Sequence, residues 1–206
     1  MHTISKKFNL PAAAVLGLGL FLSTATEDAS ARQPNNTLEL TTFSSGTAPA
    51  GFNGTCSKYA WACSSAAGRR QFGHQELINL ADEINRAVNR EIVSKTDLDN
   101  YGVREKWTLP YNGYGDCEDY ALLKMKRLID AGVAPRDLFL STVVGRTDEV
   151  HIVLVLRTAQ GDYILDNLTN RMSHWSSTNY TFIKKQDPQR PSRWTVVLLG
   201  PRAVRT

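Results

Sequence analysis

The hydrophobic period of the sequence switches once, at Pro135. Before it, apolar residues recur three and four apart. Leu77, Leu80, Ala81, Ile84, Val88 and Ile92 form one helical stripe over His74–Val93. GDCEDYALLKMKRLIDAG, ending at Gly132, carries Leu122, Met125 and Ile129 on a second. After Pro135 apolar and polar residues alternate, which predicts strands at Leu138–Val144, Val150–Arg157, Tyr163–Asn167, Tyr180–Lys184 and Trp194–Leu199. Helices first and strands afterwards, with no internal repeat, predict an α+β domain with helices packed on an antiparallel sheet. Ser94–Gly115 reads as a loop between the two helices.

The N-terminus reads as a secretory signal peptide over residues 1–31. Lys6 and Lys7 precede an apolar run from Leu10 to Leu22, and Ala29-Ser30-Ala31 supplies an A-x-A site. Cleavage after Ala25 is a second possibility, and an uncleaved anchor a third. The run is short, and rich in Gly and Ala, for a membrane span. Residues 32–55, rich in Thr, Ser, Asn, Gly and Pro, read as an extended or mobile lead-in to a domain over 56–206. No later segment is apolar enough for stable membrane insertion. The net charge is +4, with Lys and Arg scattered, which argues against a nucleic-acid partner. Sequons occur at Asn35, Asn53, Asn167 and Asn179. A glycan at Asn167 would crowd Asp166, which favours a bacterial periplasm, or secretion from a bacterium, over a eukaryotic route.

Three cysteines divide by spacing. Cys56 and Cys63, seven apart, are expected to pair as a disulfide in an oxidising compartment. A metal pair is the alternative, but no second Cys/His cluster completes it. Cys117 is left as a free thiol in GYGDCEDY, among Asp116, Glu118 and Asp119. Negative charge disfavours a thiolate. On a helical wheel Glu118 heads the apolar stripe, Cys117 its edge, and Asp116 and Asp119 the far side. A carboxylate aimed at a core needs a cation. Asp116, Glu118 and Asp119 are therefore candidate ligands of a hard cation, Ca²⁺ outside the cytoplasm. The competing reading is that acids simply favour the first turn of a helix.

The start of a helix also favours a thiolate and an oxyanion. A cysteine nucleophile needs a base. His2 leaves with the signal, His74 opens an exposed helix, and His174 lies in a Ser/Thr-rich loop. His151 shares a strand face with Val153 and Val155, and Asp166 lies on the next strand with Ile164. A four-residue loop at 158–161 sets Asp166 opposite Val153, diagonal to His151, with Cβ atoms roughly 7 Å apart. A two-residue turn at Gln160-Gly161 sets it opposite Val155, on the order of 13 Å away. In the first register Cys117, His151 and Asp166 have the logic of a thiol triad: nucleophile, base and orienter.

GDCED, a strand with Val150-His151, and then ILDN together resemble the bacterial transglutaminase-like cysteine peptidases, over roughly Cys56 to Leu199. The resemblance implies a papain-like, transglutaminase-like fold, a Cys117–His151–Asp166 triad, and calcium at Asp116, Glu118 and Asp119. It also implies a periplasmic thiol protease acting on a protein, with a surface adhesin governing attachment as the family's example. Trp107, in WTLP ahead of the motif, is a candidate oxyanion donor through its indole N–H, although a core role is favoured. Two other functions compete: acyl transfer to an amine instead of water, and calcium-dependent binding with a vestigial thiol.

Overall fold

The structure is a computed structural model that describes residues 38–203. The signal peptide read at 1–31 and the first six lead-in residues lie outside the described residues. In sequence order the elements are β1 (Ser44–Gly46), α1 (Thr55–Lys58), α2 (His74–Glu91), β2 (Val93–Ser94), α3 (Asp97–Tyr101), β3 (Tyr114–Gly115), α4 (Cys117–Asp130), β4 (Leu138–Val144), β5 (Val150–Thr158), β6 (Gly161–Leu165), β7 (Ser173–His174), β8 (Thr181–Asp187) and β9 (Arg190–Leu199). Seven of these strands form an antiparallel sheet in the order β1-β9-β8-β4-β5-β6-β7. The α+β class read from the change of period is the class observed.

Period-two alternation gives the sheet two apolar faces. Leu138, Leu140, Ile152, Leu154, Leu156 and Leu165 join Leu122, Met125 and Leu128 of α4 in one core. Phe139, Val143, Val153, Val155, Ile164 and Phe182 form a second with Trp175 and Leu40. A fully buried Leu contributes roughly 1.5–3 kcal/mol relative to exposure. Leu154→Ala, at the centre of the first core, would cost about 2–5 kcal/mol. Helix α2 lies on α4 through Val88, beside Tyr120 and Ile92. It stops at Glu91, two residues short of the expected Val93, because Val93 leaves to pair in parallel with Tyr114.

Two segments depart from the sequence reading. Residues 38–55, read within the lead-in, belong to the packed domain. Leu40 is 1% exposed and donates its N–H to Asp162 Oδ2 at 2.7 Å. Strand β1 pairs with β9, and Phe52 sits edge-on to both Trp107 and Trp194. A few apolar anchors suffice, and composition averages them away. The presumed loop 94–115 contains α3, which Thr96 caps by accepting the Asp99 N–H, and which ends at Gly102 with φ +73°.

Cys56 and Cys63 are joined, with Cα atoms 5.4 Å apart. The segment they close braces the backbone ahead of the GDCED motif. Tyr59 Oη accepts the Leu109 N–H at 3.0 Å, and Lys58 Nζ donates to Thr108 Oγ1 at 2.9 Å.

Candidate active site

Cys117 is the first residue of α4, and Asp116 is its N-cap. The Asp116 carboxylate does not cap its own helix; its Oδ2 accepts the Asp97 N–H at 3.1 Å. Packing of α4 on β5 brings the thiol to that strand, where the Ile152 backbone favours its charged form. The thiol itself donates to Glu118 Oε2 at 3.2 Å rather than to His151. Burial, and then the Glu118 charge, push the thiol well above its ordinary range. The conflict between thiol and acids that the letters raised is therefore present in the fold.

His151 lies one residue before Ile152, opposite Val143. The β5–β6 hairpin pairs Thr158 with Gly161 and Leu154 with Leu165, so Asp166, the next residue, falls level with Val153. This is the first of the two registers considered, tightened to a turn at Ala159-Gln160. Gly161 is needed there. Its φ is +119°, and a Cβ would stand 2.5 Å from the Leu38 carbonyl oxygen. His151 Nε2 reaches Asp166 Oδ1 at 2.8 Å, and the His151 side chain is 12% exposed.

Two further donors complete Asp166. Its Oδ1 accepts the Leu168 N–H at 3.0 Å, and its Oδ2 accepts the Tyr180 O–H at 2.6 Å. Burial alone would raise the Asp166 pKa. The hydrogen bonds from His151, Tyr180 and Leu168 outweigh it and hold the carboxyl below its usual range. The Tyr180 ring also lies against His151, with centroids 6.0 Å apart. Sequence reasoning missed Tyr180 as a site residue; only its position at the head of an expected strand marked it. Asn89 of α2 steadies the same turn, donating to the Asp166 carbonyl at 2.9 Å.

The acidic residues group differently from the expected set. Carboxylate oxygens of Asp97, Asp116 and Glu118 lie within 4.8 Å of one another. Asp119 is outside this group and Asp97 takes its place. Asp119 is fully buried and turned toward the loop before the motif, where its Oδ1 accepts the Thr108 N–H at 2.9 Å. Asp97 was hidden from the motif because α3 brings it in from 19 residues upstream. Burial, then the Asp116 charge, raise the pKa of both Asp97 and Glu118. Asp97 Oδ1 and Asp116 Oδ1 are buried with no hydrogen-bond partner. Convergent, unpaired carboxylate oxygens are the donor set of a hard cation, so these residues fit Ca²⁺.

Cys117, Glu118, Trp107, Glu105, Val150 and Ile152 are among the residues lining a cavity of about 470 Å³. Trp107 is 5% exposed and packs in the first core, as favoured, yet its Nε1 has no hydrogen-bond partner. Gly51, with φ +76°, lies so close that a Cβ there would meet the indole Cδ1 at 2.6 Å. Among the described residues, no helix is long and apolar enough to cross a membrane.

Comparison with known proteins bears on this arrangement. The calcium-bound LapG of Legionella pneumophila is similar in fold, with 20% identity and a TM-score of 0.51, covering 62% of this protein and 72% of that one. LapG of the same organism in another structure is 23% identical, with a TM-score of 0.46, covering 54% and 65%. Its EGTA-treated form is 24% identical, with a TM-score of 0.47, covering 54% and 63%. No curated protein matches the sequence. The sequence model for "bacterial transglutaminase-like cysteine proteinase BTLCP" matches residues 42–200, most of the protein. The chain therefore belongs to the bacterial transglutaminase-like cysteine proteinases, and is a cysteine peptidase whose substrate is a protein.

Proposed function

We infer that Cys117 is the nucleophile of this peptidase, His151 its base and Asp166 the orienter. The observation that carries the reading is the 2.8 Å contact between His151 Nε2 and Asp166 Oδ1, on the strand against which α4 packs Cys117. With Nε2–H donated to the carboxylate, Nδ1 is the nitrogen that accepts the thiol proton. The sulfur then bonds the scissile carbonyl carbon. His151 returns the proton to the leaving amine as the C–N bond breaks, and a thioester remains. Water, deprotonated by His151, hydrolyses that thioester and regenerates the thiol. The backbone N–H of Cys117 and the Trp107 indole N–H are the candidate donors to the oxyanion.

Asp97, Asp116 and Glu118 would hold Ca²⁺, and the LapG solved with calcium supports this choice of ion. When bound, the ion supplies positive charge against the three carboxylates. Glu118 is the residue that must surrender the thiol before His151 can take its proton. The enzyme acts in the periplasm, or after secretion, on a surface or periplasmic protein such as an adhesin; the signal-like pattern read over 1–31 supports that location.

Alkylation kinetics test the core of this reading. Cys117 should react with iodoacetamide faster in calcium than in EGTA, and His151→Ala should abolish the difference. A thiol no faster than a model thiol in calcium, and indifferent to His151→Ala, overturns it.

A further inference from the structure

The cavity that holds Cys117 is lined by Val150 and Ile152, on either side of His151 in the sequence, and a separate cavity is lined by Asp166. The other, about 410 Å³, lies between the β4–β5 loop, the turn after Asp166 and the segment before β8. Asp166 and Tyr180 form part of its wall, with Arg146, Arg171, Leu168 and Thr169 around it. Among the described residues neither guanidinium has a carboxylate within ion-pair distance. The sole carboxylate in the wall, Asp166, is already bonded by His151, Tyr180 and the Leu168 N–H. Next to it, a cavity of about 480 Å³ shares Arg146 and Asn179 and adds Arg202. Arg202 is paired with Asp148. Arginines thus line the two neighbouring cavities on the Asp166–Tyr180 side of the pair. The thiol cavity has the reverse character, with Glu105 and Glu118 against Lys184 alone.

The chemistry gives this polarity a direction. The leaving amine takes its proton from His151, so the part of the substrate that follows the cut departs past the imidazole. That path leads to the Asp166–Tyr180 wall. We propose that Arg146 and Arg171 select protein substrates carrying acidic side chains just after the scissile bond, on its C-terminal side. A guanidinium presents forked donors that match a carboxylate. Leu168, 70% exposed in the same wall, offers the intervening side chain an apolar surface. The proposal rests on the catalytic reading above.

The test uses peptides made by chymotryptic digestion of a bacterial lysate, incubated with the enzyme in calcium, with cleavage sites read by mass spectrometry. Wild type should enrich Asp and Glu about fivefold in the first four positions after the cut, the discrimination expected of a part-exposed ion pair. Arg146→Gln with Arg171→Gln should erase the enrichment, and Arg146→Glu with Arg171→Glu should turn it toward Lys and Arg. Melting temperatures verify that both pairs of changes leave the fold intact. Wild-type cleavage without acidic enrichment, or the same enrichment in both double variants, overturns the proposal. So does a wild type that cuts no peptide while its thiol is activated through His151. A thiol not activated at all is the separate failure of the catalytic reading.

Discussion

His151 Nε2 stands 2.8 Å from Asp166 Oδ1, which commits one ring nitrogen to the carboxylate and leaves Nδ1 to face chemistry. Asp166→Ala should free the ring to adopt either tautomer and lower kcat/KM by roughly 10²–10⁴-fold. Asp166→Asn should retain more activity than Asp166→Ala, because an amide oxygen still accepts the Nε2–H. Equal losses in the two variants would mean that charge, not orientation, is what Asp166 supplies.

Tyr180 holds the other oxygen of the same carboxylate at 2.6 Å. The folded pKa of Asp166 is depressed, so its contribution to stability is present above the unfolded carboxyl pKa near 3.8 and lost as pH falls through the folded value. Tyr180→Phe removes a donor to the charged form and raises that pKa. Acid unfolding should therefore begin at higher pH in the variant, and the unpaired Oδ2 should cost roughly 1–3 kcal/mol near neutrality. Melting curves between pH 2 and pH 7 check both. Superimposable acid limbs would show that Tyr180 merely packs on the ring.

Much of this was legible because the signals were local. The helix over the GDCED motif, all five long strands and the face shared by His151 and Asp166 follow from period and turn chemistry in runs of twenty residues or fewer. Asp97 and Tyr180 were not legible, since each enters the site from another element and nothing near it in sequence announces the partner. Asp119 is ambiguous for the opposite reason, since its Oδ2 is buried without a partner while its Oδ1 is taken. Its place in the motif suggested a ligand, and the third residue of the helix also faces the preceding loop, where the Thr108 N–H takes its Oδ1. Leu40 and Phe52 show the same limit, being single apolar residues in a polar stretch whose burial depends on distant strands.

Calcium binding should release protons. Burial and mutual repulsion raise the pKa of Asp97 and push that of Glu118 up to about 9, so in the ion-free protein Glu118 holds a proton that a cation must displace. Affinity should accordingly tighten as pH rises from about 5 to 8. The heat of binding by calorimetry should change with the ionisation heat of the buffer. Asp97→Asn should weaken binding at least about tenfold. Asp119→Ala should lower the melting temperature by orphaning the Thr108 N–H, while leaving calcium affinity nearly unchanged. If Asp119→Ala removes binding and Asp97→Asn does not, the ligand set read from the motif is right and the one grouped by the fold is wrong.

Lys124 is the least expected buried residue of α4. It lies two turns after Cys117 on α4, is 1% exposed, and among the described residues has no carboxylate within ion-pair distance. Burial lowers its pKa to about 7, against a weak opposing pull from the Asp166 charge. The unfolded polypeptide, with an ordinary lysine pKa near 10.4, binds more protons than the folded one between about pH 7 and pH 10. Stability from this residue therefore rises with pH across that window, and its full cost falls below pH 7. Lys124→Met keeps the length and removes the charge. It should stabilise the protein by about 1–4 kcal/mol at pH 6, with the gain shrinking toward pH 10, as denaturant titrations at the two values would measure. Loss of the Lys124 charge should at the same time shift the acid limb of activity to higher pH, because the ionised Asp166 loses one favourable charge at range, beside the hydrogen bonds that hold it. A variant that is more stable and yet loses activity sooner in acid would identify Lys124 as a charge retained for the site. A variant destabilised at pH 6 would instead mean that the ammonium is satisfied by contacts stronger than its burial.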